Sequence, residues 1–335
     1  MKASIENPVY TVYAVSGNTK YDLTPALTVI DRNESKSQMA QCVTLSLANI
    51  KVGNTWLADI INPRDRIYVY ADDGTTKAEV FRGYAWRRPY HSSLTDRTVQ
   101  IICYDNLIYL QESETAEFFS AGRRTKDVIS KLCGNWGVKL EYTYSSITHS
   151  KLALRGHLSD IITSDVLDIV KDRVGKGYCI ISDKDVMKIR PVGSNTTIYK
   201  IDAGNNAVRS TTEWSMDGMV TKVVIYGKAD DNDRRPIEAT VSGNTSKYGT
   251  LQKTIDRDEN TTLAASKEEA RNIVKKDGSP KWTYEVEATD IPWIREGDKV
   301  YVNAGGINNK YLIVEEIDRS ASNKTKKMVL SLVNA

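Results

Sequence analysis

One short pattern occurs near both ends of the chain, and it limits what the chain can fold into. Residues 64–69 and residues 297–302 share an aspartate, then a basic residue, then an apolar–Tyr–Val triplet. A polar turn, a second strand-like segment and a last alternating segment follow each copy at similar spacing. We therefore predict a duplicated β domain. The predicted repeat-equivalent positions are Asp65, Tyr68 and Val69 in the first copy, and Asp298, Tyr301 and Val302 in the second.

The two copies are not identical, and the pattern has an alternative explanation. Arg64 stands where the second copy has Gly297, so we expect the turn before this strand to differ between the copies. Further upstream, we match the strand-like segment at Val43 with the one at Val220. Two unrelated meander sheets could share such a rhythm, and the pattern alone leaves that alternative open.

Alternation at period two predicts strands through the first hundred residues. A turn at residues 72–74, which ends in Asp-Gly, separates two of these segments, as in a β-hairpin. We predict a first tube-like antiparallel β-barrel domain over residues 1–104.

The middle of the chain has helical patterns. Val128, Ile129, Leu132 and Cys133 share one helical face, and a second helix is predicted to begin at Thr163 or Ser164 and to end at Gly175. A hairpin follows, with its turn at residues 182–185. We predict a small helix-containing α+β domain over residues 105–196.

The last part of the chain is β again, with one helix. Ser266 followed by Glu269 fits a capping box, which predicts a helix that ends at Gly278. We predict a second tube-like β-barrel domain over residues 197–335. The predicted fold class is therefore mainly β with an α+β insert, in which two related antiparallel barrels flank a small α+β domain.

The sequence offers no recognisable catalytic, cofactor-binding or metal-binding constellation, so the chain is predicted not to be an enzyme. Its three histidines, His91, His149 and His157, are scattered, and common protease, hydrolase and nucleotide-binding motifs are missing. The acidic run at residues 230–233 lacks the glycine and later ligands of a calcium loop. Four separated cysteines, at positions 42, 103, 133 and 179, form no disulfide or zinc pattern.

Charge and hydropathy restrict the partners and the location. A net charge of +3 is too balanced for specific nucleic-acid binding. No segment approaches the roughly 18 apolar residues of a membrane-spanning helix. The first residues lack the apolar stretch of a signal peptide, so synthesis in a bacterial cytoplasm without a signal peptide is expected.

Three segments carry a family resemblance. Residues 80–85 after the strand at 64–67, residues 171–178, and residues 295–302 resemble the baseplate hub family of contractile phage tails and phage-tail-like bacteriocins. The similarity is closest to its XkdQ/YqbQ-like branch, which is similar to the late control D proteins. It covers nearly the whole chain, although its motifs are diffuse.

The resemblance implies a structural role in a virion tail baseplate or phage-tail-like particle. It implies a homotrimer whose barrels form a pseudo-six-fold ring between the hexameric tail tube protein and the trimeric central spike protein, in contact with other baseplate proteins. It brings no catalytic residues and no cofactor. The alternatives are a cell-wall or carbohydrate-binding module, which predicts aromatic side chains in a groove and a monomer, and a cell-wall hydrolase, which needs a cleft with a perturbed acid.

Overall fold

Strands with alternating burial dominate the computed structural model, which describes residues 7–92, 97–229, 234–257 and 261–335. The chain divides into two units. Unit 1 comprises residues 1–211 and 284–335, and unit 2 comprises residues 212–283. The acidic run at residues 230–233 lies outside the described residues. In the part of the chain that is described, no helix combines the length and apolar character needed to cross a membrane.

The first part of unit 1 is almost entirely β, because its apolar residues recur at every second position and form one buried face. Its elements are β1 (Val9–Ser16), β2 (Thr19–Asp22), a 3₁₀ turn (Thr24–Ala26), β3 (Leu27–Ser35), β4 (Gln38–Ala48), β5 (Lys51–Val52), β6 (Thr55–Trp56), α1 (Leu57–Ile60), β7 (Arg66–Asp72), β8 (Lys77–Arg87), β9 (Tyr90–Ser92) and β10 (Arg97–Tyr104).

The middle part of unit 1 mixes helices and strands around its own apolar core. Its elements are α2 (Ile108–Gln111), β11 (Glu114–Phe119), α3 (Thr125–Asn135), β12 (Lys139–Tyr142), β13 (Leu152–His157), α4 (Leu158–Asp160), a π-helical segment (Ile161–Leu167), α5 (Asp168–Val174), β14 (Tyr178–Asp183) and β15 (Val186–Pro191).

Two local predictions for this middle part have different outcomes. The predicted turn at residues 182–185 is confirmed, since Lys184 and Asp185 both have positive φ between β14 and β15. The predicted start of the second helix at Thr163 or Ser164 is wrong. Helical structure begins at Leu158, because Ile161 and Ile162 are buried and extend the apolar face towards the N-terminus.

The remaining elements are β16 (Lys200–Asp202), β17 (Ala207–Ser215), β18 (Lys222–Tyr226), β19 (Ile237–Ser242), α6 (Thr245–Tyr248), β20 (Gln252–Asp256), α7 (Leu263–Asp277), β21 (Lys281–Thr289), β22 (Lys299–Ala304), β23 (Ile307–Ser322) and β24 (Lys326–Asn334). In unit 1, β16 and β22–β24 enclose a third apolar core.

The predicted mainly β class with an antiparallel sheet is confirmed, but two separately closed barrels are not seen. Among the described residues the main strands of the largest sheet follow one open path, β17-β21-β24-β23-β3-β4-β10-β8-β7-β1-β2. The reason is the 16-residue strand β23, which pairs antiparallel with β24 and also with β3. This long strand joins the two predicted β domains into one sheet.

Unit 2 is a small module with its own core. The strand β18 pairs antiparallel with β19 and parallel with β20, and α7 packs on this sheet through Ala270. The predicted match between the segments at Val43 and Val220 is therefore wrong, since Val43 belongs to the long sheet of unit 1. The predicted cap at Ser266 is also wrong. Thr262 accepts the Ala265 N–H at 3.2 Å, and Ser266 lies buried inside the helix.

The predicted boundaries at residues 104 and 196 stay a prediction. Three apolar cores in unit 1 follow the chain in order. The first is built mainly from residues 10–103, the second mainly from residues 107–189, and the third from residues 199–332 outside unit 2. This order agrees with three segments, although one sheet links the first and the last.

Candidate assembly site

The two copies of the repeated pattern form turns with the same backbone conformation. Arg64 has φ 71° and Gly297 has φ 77°, so both residues are left-handed. The expectation that these turns differ is therefore wrong. Glycine adopts this conformation freely, whereas a residue with a side chain does so at a cost of about 1–2 kcal/mol. Arg64 thus adopts the glycine-like geometry despite its Cβ.

The aspartate of each copy closes its turn in the same way. Asp65 accepts the Asn62 N–H at 2.7 Å, and Asp298 accepts the Arg295 N–H at 2.9 Å. In both cases the donor lies three residues before the acceptor. A carboxylate that accepts a backbone N–H in this way fixes the turn that starts the next strand.

The strand that follows each turn is paired in the same register. The Arg64 N–H donates to the Ala85 carbonyl at 2.7 Å, and the Gly297 N–H donates to the Val314 carbonyl at 2.9 Å. The reciprocal bonds run from Ala85 N–H to Asp65 and from Val314 N–H to Asp298. The two copies therefore start their hairpins with equivalent hydrogen bonds.

The side chains after the aspartates also occupy similar environments. Val69 and Val302 are fully buried, whereas Tyr68 and Tyr301 are only half-buried. The Tyr301 ring meets the Tyr311 ring edge-on at 5.3 Å. These similarities support the proposed equivalence of the six repeat positions, which stays a proposal.

A buried charge cluster joins the two ends of the chain. Arg32 on β3 and Arg319 on β23 lie directly opposite each other in the sheet, and both are almost fully buried. Two like charges in this position are unfavourable unless acidic groups neutralise them. Glu34 and Asp290, which are also buried, supply this neutralisation. We call these four residues, with Arg295, the junction cluster.

Glu34 is the centre of the junction cluster. Its carboxylate accepts from Arg295 Nε at 2.7 Å and from Gln41 Nε2 at 2.9 Å. Arg319 Nη1 lies at 3.6 Å and Arg32 Nη2 at 3.9 Å. Burial alone would raise the pKa of Glu34, but the three arginines outweigh it and lower that pKa.

Asp290 completes the junction cluster at its other end. It accepts from Arg319 Nε at 3.1 Å and from the Tyr10 hydroxyl. The Arg319 guanidinium also donates to the carbonyls of Ile291 and Ile294. The cluster thus ties β1 and β3 to the segment before β22, more than 250 residues away along the chain.

The middle part of unit 1 contacts the repeated pattern in both copies. Asp185 accepts from Arg66 Nη2 at 2.6 Å in the first copy. Asp298 accepts from Arg190 Nη2 at 2.7 Å in the second copy. These two ion pairs connect the hairpin β14–β15 to the first β part of unit 1 (β1–β10) and to the second β part (β16 and β21–β24). Both lie next to the turns described above.

Sequence reasoning did not identify the junction cluster. A signal was present, because Arg32 and Glu34 share the parity of buried Ile30 in an alternating strand. A charged residue at an inward position requires a buried partner. The other two arginines that contact Glu34, Arg295 and Arg319, however, lie more than 250 positions away, and no local pattern indicates them.

Two buried acids next to the junction cluster have raised pKa values. Burial, with a contribution from Glu34, raises the pKa of Glu296 to about 8. Burial raises the pKa of Asp105 to about 7, although the backbone N–H groups of Gln41 and Leu107 oppose the rise. Glu296 also lines a polar cavity of about 480 Å³ beside the π-helical segment. These shifts have local structural causes in burial and in the neighbouring charges.

We expect Glu296→Gln to stabilise the protein at pH 8 and to change its stability little near pH 4. With a raised pKa, folded Glu296 keeps its proton while the unfolded chain loses it, so the free energy of unfolding falls from about pH 4.5 to about pH 8. The glutamine side chain does not titrate, so the free energy of unfolding of the variant does not fall in this way. Urea unfolding at both pH values checks the prediction, and a variant that is less stable than the parent at pH 8 would contradict it.

The other residues considered for chemistry are dispersed in the structure. His149 is buried, and its Nε2 lies 2.9 Å from Thr125 Oγ1; burial and Arg173 lower its pKa. His157 lies on the surface beside Glu114, and the His91 side chain is outside what the structure describes. The four cysteines are free thiols. Within the described ranges, no group of three or more potential ligands could hold a metal ion.

Comparisons with known proteins give one family and a set of similar folds. The family model described as YQBQ-like matches residues 33–333. Searches of curated proteins return no match. Among solved structures, the 43 kDa tail protein of prophage MuSo2 from Shewanella oneidensis has a TM-score of 0.71 at 15% identity, over 97% of this chain and 98% of that chain.

Two further structures share the fold. The tail protein from Neisseria meningitidis MC58 has a TM-score of 0.69 at 14% identity, over 97% of this chain and 96% of that chain. The E. coli c3393 protein, a component of the type VI secretion system, has a TM-score of 0.57 at 8% identity, over 92% of this chain and 74% of that chain. At these identities the likeness is one of fold.

Proposed function

The chain belongs to the YQBQ-like family, and from this premise we propose that it is a structural hub subunit of a contractile-tail baseplate. In this role three copies form a ring in which each chain contributes two similar β parts, so the ring has pseudo-six-fold symmetry. The ring joins the hexameric tail tube to the trimeric central spike and belongs to a phage or phage-tail-like particle. The subunit has no catalytic activity of its own.

The observation that carries this proposal is the matched geometry of the two turns. Asp65 and Asp298 close left-handed turns with equivalent hydrogen bonds, and the following strands pair in equivalent registers. A chain with two similar β parts presents two similar surfaces to its neighbours. Three such chains can therefore meet a six-fold partner on one side and a three-fold partner on the other.

The junction cluster fits a subunit that transmits force. It fixes the two β parts to each other through buried, charge-assisted hydrogen bonds, which are stronger than neutral ones. The hairpin β14–β15 fastens the middle part to both. Fold likeness to phage tail proteins supports the same role. We also propose that the three predicted domains, residues 1–104, 105–196 and 197–335, correspond to these parts.

Sheet edges are available for contacts between copies. In the described residues the long sheet ends at β2 on one side and at β17 on the other. Val208 on β17 is 71% exposed, which is unusual for a valine within a strand. Edge strands of this kind are covered in assembled proteins, because uncovered edges promote aggregation.

The proposal predicts a threefold molar mass. Multi-angle light scattering of the purified chain, alone and mixed with the spike protein of the same particle, measures this mass. Three copies in either condition support the ring. A monomer in both conditions would remove the ring and would favour the cell-wall or carbohydrate-binding alternative.

A further inference from the structure

Unit 1 contains a second open cavity, of about 450 Å³, whose walls combine cations and aromatic rings. Its lining comes from the turn before β7, from β8, α2 and the residues that follow α3, and from the β14–β15 turn. Four cationic side chains line it: Arg64, Lys139 and Lys184, together with Arg82, which pairs with Glu79. Three aromatic side chains line it as well: Tyr84, Tyr109 and Trp136. We call this space the cationic cavity.

Arg64, Lys139 and Lys184 form no close ion pair among the described residues, although Asp183 interacts electrostatically with Lys184. Arg82 also borders the cavity, but Glu79 holds it with two hydrogen bonds of 2.7 and 2.9 Å, and Asp185 lies at 3.5 Å. Asp185 in turn is bound by Arg66 at 2.6 Å. Asp185 also lines the cavity, but one carboxylate stands against four cations among the described lining residues, so the cavity has a local excess of positive charge.

Arg64 is the most informative residue of the cationic cavity. It occupies a left-handed conformation in which its repeat counterpart is Gly297. A glycine would satisfy the turn, so the backbone does not require a side chain at this position. Arg64 Nε donates to the Tyr109 hydroxyl at 3.1 Å, and its guanidinium lies 5.8 Å from the centre of that ring. These contacts direct a charged group into the cavity despite an unfavourable backbone.

We propose that the cationic cavity binds an acidic peptide segment of a partner protein, with Arg64 as its main contact. The planar guanidinium matches a carboxylate with two parallel hydrogen bonds, and Lys139 and Lys184 add positive charge to the lining. The cavity lies within one chain, so binding does not require the ring proposed above. The inference therefore goes beyond the proposed function and can fail separately from it.

The geometry of the aromatic side chains argues against a flat sugar or base as the ligand. Tyr84 and Tyr109, which both line the cavity, are edge-to-face at 76°. Rings at right angles do not present a continuous flat platform for stacking. Four cations are also few for tracking a phosphate backbone. A short acidic peptide can bind through one arginine that is positioned to contact a carboxylate, with further positive charge nearby.

The test is calorimetric titration of the full chain with the capped peptide acetyl-Gly-Glu-Glu-Glu-Gly-amide at low salt. The matching peptide with three glutamines and a neutral chitin trisaccharide are the comparison probes. We expect the glutamate peptide to bind, the other two not to bind, and the affinity to fall as salt is raised. Equal binding of both peptides, or binding of the trisaccharide instead, would overturn the proposal.

Variants separate a binding role of Arg64 from a structural one. Arg64→Gly reproduces the residue of the second copy, so it should fold and keep its melting temperature within a few degrees. We expect it to bind the glutamate peptide about tenfold more weakly. Lys139→Gln should weaken binding less, and Lys151→Gln, an exposed cation that does not line the cavity, should leave it unchanged. Unchanged affinity in Arg64→Gly would overturn the assignment.

Discussion

Gly297→Ala is expected to lower the free energy of unfolding by about 3 kcal/mol or more. Two effects combine at this position. The residue has φ 77°, which is unfavourable for alanine. A Cβ here would also lie 2.3 Å from Cys179 Cβ and 2.4 Å from Cys179 Sγ. The strand β14, which carries Cys179, would have to move away from the turn that starts β22.

Two control variants separate these effects in urea unfolding. Gly17 also has a left-handed φ, of 57°, but an added Cβ meets nothing within 4 Å, so Gly17→Ala should cost only about 1–2 kcal/mol. Arg64→Gly should stay within about 1 kcal/mol of the parent, since relief of the left-handed strain offsets the greater freedom of the unfolded chain. If Gly297→Ala costs no more than Gly17→Ala, the close approach of Cys179 is not important for stability.

Glu34→Gln is expected to destabilise the protein by about 3–5 kcal/mol, the range for breaking a buried ion pair. The change keeps the size of the side chain but removes the charge that Arg32, Arg295 and Arg319 share. Arg32 Nε already has no hydrogen-bond partner among the described residues, so the hydrogen bonding of the cluster is incomplete even before the change. The loss leaves buried Arg32 and Arg319 with Asp290 as their remaining acid, and half-buried Arg295 with Asp105 and Asp298.

The control for Glu34→Gln is Lys36→Gln, which removes a surface ion pair. Lys36 and Glu315 lie 3.1 Å apart and are largely exposed, so this variant should change stability by less than about 1 kcal/mol. Because the pKa of Glu34 is lowered in the folded protein, its contribution is present above about pH 4.5 and is lost below it. The gap between parent and Glu34→Gln should therefore narrow in acid. A gap that is small at pH 7 would contradict the role of the junction cluster.

Short-range patterns predicted much of the fold. The alternation in the strands, the helix over Thr125–Asn135 and the hairpin β14–β15 depend on neighbouring residues, and they appear as expected. The resemblance to the XkdQ/YqbQ-like branch is confirmed by the family match over residues 33–333. The start of α7 was predicted less accurately. Thr262 and Ser266 are both good capping residues, but Ser266 is buried inside the helix and Thr262 forms the cap.

Long-range contacts could not be predicted in the same way. Whether two β parts close separately or share a sheet depends on the pairing of β3 with β23, which no local pattern encodes. The junction cluster depends on the same pairing. The similarity of the turns at Arg64 and Gly297 could not be predicted either, because two different residues adopt the same left-handed backbone conformation. The residue types at this position differ between the two copies, although their backbone conformations are equivalent.

We propose that three copies build a ring with six similar β parts. End-on electron microscopy of the purified assembly, formed alone or with its spike partner, tests it most directly. We predict class averages with threefold symmetry and six similar densities around an open centre. Single particles of one chain, or rings with another number of subunits, would contradict the account.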